Sequence, residues 1–589
     1  MYSKIKDRVP NFELHPVHVV DKTVSWGGYD EIVTELKGEI GSKNGDRTVV
    51  VFDYYHGIDE KGIFDNIISK LKADVLIDSS TIKYPEEIIY SKFEKFITED
   101  RINGAFSFCK IDEFFDEKLV VETNEKINAS TGLIVVYGVA ASVITKGDIL
   151  VYGNVTIQKI KSAYFNGFTN WGVDNPDEDP ITKEKRFNFL EGRVQDVHKR
   201  KLFKEMDYVI DGENDNHLVM TTGEDYLKIL EYFSKKPFKL EPFFNKGIWG
   251  GHWCQDVLNA EPELKNTAWG IIGWINQQCA VAKANNEEVH VPGRDIIAGN
   301  PVEFLGNQNF FWFGYNCPFG CDFLDTWGGQ NLSLQVHPDI AYSNETFNSQ
   351  FGHYETYYML DTTEDSTVYL GTKEGVTKDE LVEAFKEAQI TGKFDDEKYI
   401  NRIPMKTHDH IFIPSGAIHA SGVDTLVLEI NALCFQTFKL WDWDRVDLDG
   451  KPRPINIDHG AHVIQEKFQT EFVMDRLVSK QTEIDRGIGW RKEHSGTNDL
   501  ELLTIDRYWF SKPIFLETKD HVKIIALVDG EEAIITSPNN EFEPIELHYA
   551  EAMFIPASCG QFIVKPFGRS EGKEIAILET YMNLGDDYS

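Results

Sequence analysis

The sequence predicts a multidomain chain: an N-terminal α/β domain followed by all-β domains of sandwich or barrel type, with one helical insertion. Three observations predict this. Its 589 residues exceed what one hydrophobic core supports, so about two to four domains are expected. Before residue 236, apolar β-branched runs alternate with polar segments of helical spacing, as in a parallel sheet with crossover helices. After "YFSKKPFKLEPFFNKGIWGGHW" (232–253), strand-like segments and aromatic-rich turns dominate.

The first domain, 1–236, is read from three strands: "RTVVVFDYYHG" (47–57), "ADVLIDSS" (73–80) and "GLIVVYGVAAS" (132–142). A helix is expected over 84–97. Gly138-Val139-Ala140-Ala141-Ser142 after the third strand invites a phosphate-loop reading, but no Gly-Lys-Ser/Thr follows, so the motif fails. "KEKRFNFLEGRVQDVHKRKLF" clusters Arg186, Arg193, Lys199, Arg200 and Lys201. It faintly resembles the lid of small P-loop kinases, which implies a degenerate nucleotide-kinase-like domain. The plainer reading, a packed α/β domain with a solvated basic helix, is favoured.

The second domain, 237–490, holds the insertion near 377–401. In "TKDELVEAFKEA" Thr377 and Glu380 form a capping box, and Leu381, Ala384, Phe385 and Ala388 make one apolar stripe. The third domain, 491–589, shows short strands at regular spacing over 523–566, again a sandwich or barrel.

Composition limits the function. With 60 Lys and Arg against 96 Asp and Glu, the net charge is −36, which disfavours nucleic acid and anionic lipid as partners. An anionic substrate needs a local cationic pocket. The opening "MYSKIKDRVPNFELHP" has no signal-peptide core, and the apolar stretch 132–144 falls short of the roughly 20 residues that span a bilayer. A cytoplasmic protein is expected. Seven scattered cysteines make no disulfide framework. The CPFGC loop, Cys317 to Cys321, lacks a second pair for zinc, so buried free thiols are expected.

The chemistry lies in the second domain. In "LSLQVHPDIAY" the side chains of Gln335 and His337, two residues apart on a strand, project to one face. Glu355 follows in "GHYETYYMLD". "HDHIFIPSGAIHASG" turns through Pro414-Ser415-Gly416 to His419, and "TLVLEINA" sets Glu429 among apolar neighbours. Singly, each polar residue is most simply a hydrogen-bonded core group. Together an amide oxygen, two imidazoles and a carboxylate suit zinc or a similar divalent ion. The lack of thiolates and the single negative charge point to a catalytic rather than a structural site.

These segments, in order with "FLDTWGGQNLSLQVHPDIAY", "VYLGTKEG", "LVLEIN", "FKLWDWDR" and the earlier "FFNKGIWGG", resemble the type I mannose-6-phosphate isomerases, a cupin (jelly-roll) family. The resemblance spans about the C-terminal three-fifths of the chain, the last hundred residues matching as a degenerate second cupin barrel. It implies Gln335, His337, Glu355 and His419 as metal ligands, and one Zn2+ or other divalent metal per chain. It further implies a metal-dependent aldose–ketose isomerase acting on a sugar phosphate, mannose 6-phosphate to fructose 6-phosphate, through an enediol. Glu429 is then the candidate general base, Lys439 the electrostatic partner of the enediolate, and Arg445 a further retained catalytic residue.

Two positions depart from the family. His353 stands where it has a Lys, and Lys439 where it has an Arg, whose planar fork Lys does not reproduce. Lys439 and Arg445 could instead pair with Asp442, Asp444 or Asp447. A cupin oxygenase, since two His and a carboxylate also suit non-haem iron, and a non-catalytic sugar-phosphate-binding regulator are the alternative readings.

Overall fold

The computed structural model describes residues 9–432, 436–448 and 450–584. They form two units: Val17–Ser234 with Gln277–Asn300, and Met1–Pro16 with Lys235–Asn276 and Pro301–Ser589.

The first unit is built on a seven-stranded sheet in the order Ser25–Gly27, Val219–Thr222, Tyr208–Asp211, Ile149–Asn154, Arg47–Tyr54, Gly132–Val139, Val75–Asp78. The last five are parallel. The first two are antiparallel, so the sheet is mixed rather than all-parallel. The cause is loop length. Residues 212–218 join Tyr208–Asp211 to Val219–Thr222, and a parallel crossover needs a dozen or so residues. A single boundary at 236 is also too simple. The hairpin Cys279–Ala284/Glu287–Pro292 returns to this unit, where its first strand pairs in parallel with Val17–Val20.

One further expectation for this unit is corrected. The basic segment is largely buried, not solvated. Arg186 pairs with Glu191 at 2.6 Å, and Lys199 with Asp295 at 2.6 Å, on the helix Gly293–Gly299 that the returning segment supplies. A cation taken out of water has to be paired, and each of these is. Gly138, in the stretch whose sequence fails the phosphate-loop motif, lies within a strand. The connection from Arg47–Tyr54 to the next helix reads Gly57-Ile-Asp-Glu-Lys-Gly62-Ile63-Phe64. It keeps the two glycines of GxxxxGK[ST] but has Ile63 and Phe64 in place of the lysine and hydroxyl that meet phosphate and Mg2+, and Ile63 is buried.

In the second unit two antiparallel sheets face each other. One has the order His410–Ile413, Tyr354–Thr362, Thr425–Ala432, Phe319–Asp325, Trp269–Ile271, Phe243–Asn245. The other runs Ile400–Pro404, Thr367–Thr372, His419–Ser421, Leu334–Val336, Phe438–Trp441. Leu334, Val336, Met359, Val427, Phe438 and Leu440 belong to one buried core. The alternation of "TLVLEINA" thus becomes a strand buried on both faces. The insertion is the helix Lys378–Thr391, with Thr377 as N-cap and Gly392 closing it in the left-handed region. It lays Leu381, Phe385 and Ala388 on the same core.

A second pair of antiparallel sheets follows. Its first strand begins at Thr482, ahead of the boundary expected at 491, and Phe510, Leu527, Ile535, Phe562 and Ile577 share its separate core. Among the described residues five cysteines are buried and Cys109 is half-buried, all as free thiols; Cys434 lies outside the described residues. Burial pushes the Cys317 thiol up to about 12. Among the described residues no helix is long and apolar enough to cross a membrane.

His410 ties the first sandwich to the second through Ser495 Oγ, 3.1 Å from its Nδ1, while its Nε2 is buried without a partner. Burial, helped by Arg507, pushes its pKa from 6.5 down to about 3. The folded state therefore binds fewer protons than the unfolded chain between these values. The stabilisation is full above pH 6.5 and is lost as pH falls toward 3, at about 1.4 kcal/mol per pH unit. Urea midpoints of the wild type should fall over that window, and His410→Gln should flatten the slope.

Candidate metal centre

Four side chains converge in the interior of the first sandwich. His337 Nε2 lies 2.8 Å from Glu355 Oε1, His353 Nε2 3.2 Å from the same oxygen, and His419 Nε2 3.2 Å from Glu355 Oε2. All four residues are buried. Gln335 lies opposite His419 in the strand register, its amide nitrogen 3.3 Å from His419 Nε2.

The backbone explains the convergence. Glu355 opens the strand Tyr354–Thr362 of one sheet, and His419 starts the strand His419–Ser421 of the other. The strand carrying Gln335 stops at Val336, so His337 sits just past its end rather than within it, and the two still meet the same cluster. The turn before His419 depends on glycine: Gly416 has φ +85°, its N–H donates to His337 O at 2.9 Å, and a Cβ there would come within 2.6 Å of Val463 O. His353 is held by its N–H to Pro338 O at 3.0 Å and by Ser415 Oγ donating to its carbonyl at 2.6 Å.

The tautomers follow from the partners. His337 and His353 direct Nδ1 at Gln436 O, at 3.1 and 3.3 Å, and His419 directs Nδ1 at Ala417 O at 3.0 Å. A carbonyl only accepts, so each Nδ1 carries the proton and each Nε2 presents a lone pair. Burial pushes the His337 and His419 imidazoles down, toward the neutral form. Burial alone would raise Glu355, but the facing imidazoles hold it well below the carboxylate range. Three lone pairs therefore aim at an ionised carboxylate. His337 Nε2, His353 Nε2 and Glu355 Oε2 are buried without a hydrogen-bond partner, an arrangement that costs several kcal/mol unless a cation lies among them.

The spacing fits such a cation. Donors each about 2.1 Å from one ion lie roughly 3.0–3.4 Å apart, and the observed separations are 2.8–3.2 Å. His337, His353 and Glu355 alone bring ligand atoms within 4.8 Å of one another. With carbonyl-anchored imidazoles and no thiolate, the donors are those of a divalent-metal site. Half a turn of the Gln335 amide about its terminal torsion brings its oxygen to the position now held by nitrogen.

Glu429 is buried beside this cluster. It lies across from Tyr357 on one side and Asp322 on the other. Burial and then the Glu355 charge raise it well above the usual range. Asp322 is likewise pushed up to about 8 by burial and Glu355. Lys439 lies opposite Gln335, which puts both on one face of the sheet. Arg445 is not drawn in: its guanidinium grips Asp442 Oδ1 at 2.8 and 3.0 Å, and Arg453 grips the same carboxylate. The ion pair that the sequence offered as the plainer reading of Arg445 is the one formed. His353, noted in the sequence only as a departure, joins the cluster, and Asp322 was missed. The acid between Cys321 and Phe323 in an apolar strand was the available signal, the same one that exposed Glu429.

Residues 28–235 match a family described as a domain of unknown function, DUF8485. The mannose-6-phosphate isomerase ManA of Bacillus subtilis (strain 168) is 28% identical over 235 residues, 39% of this chain and 68% of that protein. The mannose-6-phosphate isomerase of Streptococcus mutans serotype c is 28% identical over 231 residues, with the same shares. Over two-fifths of its length the chain is similar to mannose-6-phosphate isomerases. A solved structure of the Bacillus subtilis isomerase covers 59% of this chain and 100% of its own, at 19% identity and a TM-score of 0.48.

The geometry separates a ligand from a bystander at position 353. His353→Ala should weaken Zn2+ or Mn2+ binding at least tenfold in a chelator competition, as should His337→Ala and His419→Ala, because each would remove one of few candidate direct bonds. Affinity unchanged in His353→Ala but lost in His337→Ala would leave His353 outside the site.

Proposed function

We propose that the chain is a metal-dependent aldose–ketose isomerase that interconverts mannose 6-phosphate and fructose 6-phosphate through an enediol. The observation that supports it most directly is the set of three imidazoles whose Nε2 atoms converge on Glu355, with the raised carboxyl of Glu429 beside it. The similarity to mannose-6-phosphate isomerases over about 39% of the chain supports the substrate. His337, His353, Glu355, His419 and Gln335 are proposed to hold one Zn2+ or other divalent ion per chain. Such an ion polarises substrate oxygens and stabilises negative charge developing on them.

The remaining chemistry is assigned to the chain's own residues. Isomerisation takes a proton from one of C1 and C2 and returns it to the other, while a second proton moves between their oxygens. Glu429, raised by burial and by Glu355, is proposed as the carrier between carbons, since a carboxyl raised in this way both takes and gives a proton. Asp322, across the strand pair from it, holds a second proton close by. Lys439, brought to the face of Gln335 by register, supplies a fixed positive charge for the enediolate oxygens. Arg445 is assigned a supporting part: with Arg453 it fixes Asp442 at the end of the strand that carries Lys439.

The additional nitrogen donor, His353, also suits iron or manganese, and it is the one observation that favours an oxygenase as a second reading. Oxygen uptake by the iron-loaded protein without aldose–ketose interconversion would select it.

The deciding experiment is the full chain loaded in turn with Zn2+, Mn2+ and Fe2+ and offered hexose and pentose phosphates. Interconversion of mannose 6-phosphate and fructose 6-phosphate is expected, and its absence with every metal overturns the reading. Within that assay Lys439→Ala should lower kcat by about 10²–10³ with a much smaller change in KM, because the charge it meets is larger in the transition state. Lys439→Arg should retain part of the rate, since the charge survives and only its shape changes.

A further inference from the structure

The α/β unit holds a cavity of about 460 Å³. It opens at the carboxyl ends of three neighbouring parallel strands: His56 follows Arg47–Tyr54, Ser79 and Ser80 follow Val75–Asp78, and Val139 ends Gly132–Val139. This is where open α/β sheets bind ligands, and the volume lies within the range of small-molecule sites.

One buried group in the wall awaits a partner. His56 is 5% exposed; its Nε2 lies 2.8 Å from Thr169 O, and its ring stacks on Phe168 at 4.8 Å. The carbonyl fixes the proton on Nε2, so Nδ1 is an acceptor, and Nδ1 is buried without a hydrogen bond. Burial favours the neutral ring. Opposite chemistry comes from Lys83, a donor whose ammonium lies 5.9 Å from the centre of the Trp171 ring. The Trp171 ring is stacked on Phe114 at 4.6 Å, and its backbone N–H donates to Glu191 Oε2 at 3.2 Å.

Charge then selects the ligand class. The fields of Glu191, Glu60, Asp78 and Glu86 all reach the Lys83 ammonium, so a phosphate would meet several carboxylates for one cation. The loop after the first of these strands also lacks the lysine of a phosphate loop. A hydroxyl both donates and accepts. It can accept from Lys83 and donate to His56 Nδ1 or Glu60, and an aromatic wall suits the carbon face of a sugar ring. We propose that this cleft binds an uncharged polyhydroxylated ligand of monosaccharide size, without transferring phosphate to it.

The test titrates the full chain calorimetrically with D-mannose, D-glucose, D-fructose, myo-inositol, inorganic phosphate and ATP. Saturable one-to-one binding of at least one neutral polyol is expected. It should persist in a His337→Ala/His419→Ala variant, in which the proposed metal centre is disabled. Lys83→Met, at a half-buried position that leaves the core intact, should weaken it at least tenfold, and so should Glu60→Gln. Hydrogen exchange with the bound polyol should show protection in 56–60, 79–86 and 169–174. The proposal is overturned if no polyol binds at tens of millimolar. It is equally overturned if phosphate or ATP binds in a Lys83-dependent way while the polyols do not, or if polyol binding disappears with the two histidines of the barrel.

Discussion

The first sandwich is organised around one electrostatic demand: three imidazole nitrogens and a carboxylate converge in a buried interior. Each Nδ1–H is spent on a backbone carbonyl, at Gln436 O twice and Ala417 O once. That choice fixes the rings and leaves Nε2 as an acceptor in every case. Four acceptors facing one another repel, and burial removes the water that would screen them. A divalent ion reverses the sign of every one of these contacts. Its binding free energy is therefore part of the stability of the fold at this point, and the turn through Gly416 and the tether of His353 serve to keep the donors at that spacing.

The same demand spreads to the second layer. Glu355 is held down by the imidazoles, while Glu429 and Asp322 are held up by burial and by Glu355. Carboxyls with environments that separate their affinities for a proton are how acid and base roles are divided in one site. The division here has a geometric source. Asp322, Glu429 and Tyr357 are consecutive across three strands, so one register places two raised carboxyls beside the proposed metal ligands. A slip of one residue would send all three to the opposite face.

How much of this the sequence carries depends on the kind of signal. Strand alternation and the capping residue Thr377 are local, and they locate the strands around Glu429 and the helix of the insertion. Gln335, His337, Glu355 and His419 were legible through motif order, and they do assemble. His353 was visible only as a mismatch because its role depends on the Pro338 and Ser415 contacts that aim it. The burial of Arg186 and Lys199 was illegible for a related reason. A run of basic residues reads as solvated until the acids that neutralise it are located, and Asp295 arrives from a segment nearly a hundred residues away in sequence. The mixed sheet was, by contrast, readable in principle from the short connection 212–218, which no parallel crossover can use.

The two departures from the isomerase pattern act on the same quantity. Where the resemblance implies a Lys and an Arg, this chain has His353 and Lys439, so one permanently charged side chain is replaced by an imidazole whose Nε2 joins the cluster around Glu355. An enediolate still needs its charge balanced, and the positive field now comes from one lysine and from whatever ion the donors hold. A further nitrogen donor holds that ion more firmly. It also donates electron density to it, which reduces the ion's power to polarise an oxygen. Rate in such a site should depend more steeply on the identity of the metal, because fewer protein cations remain to compensate for a weaker Lewis acid. The charge lost at position 353 and the fork lost at position 439 are thus one adjustment, a transfer of electrostatic work from side chains to the bound ion.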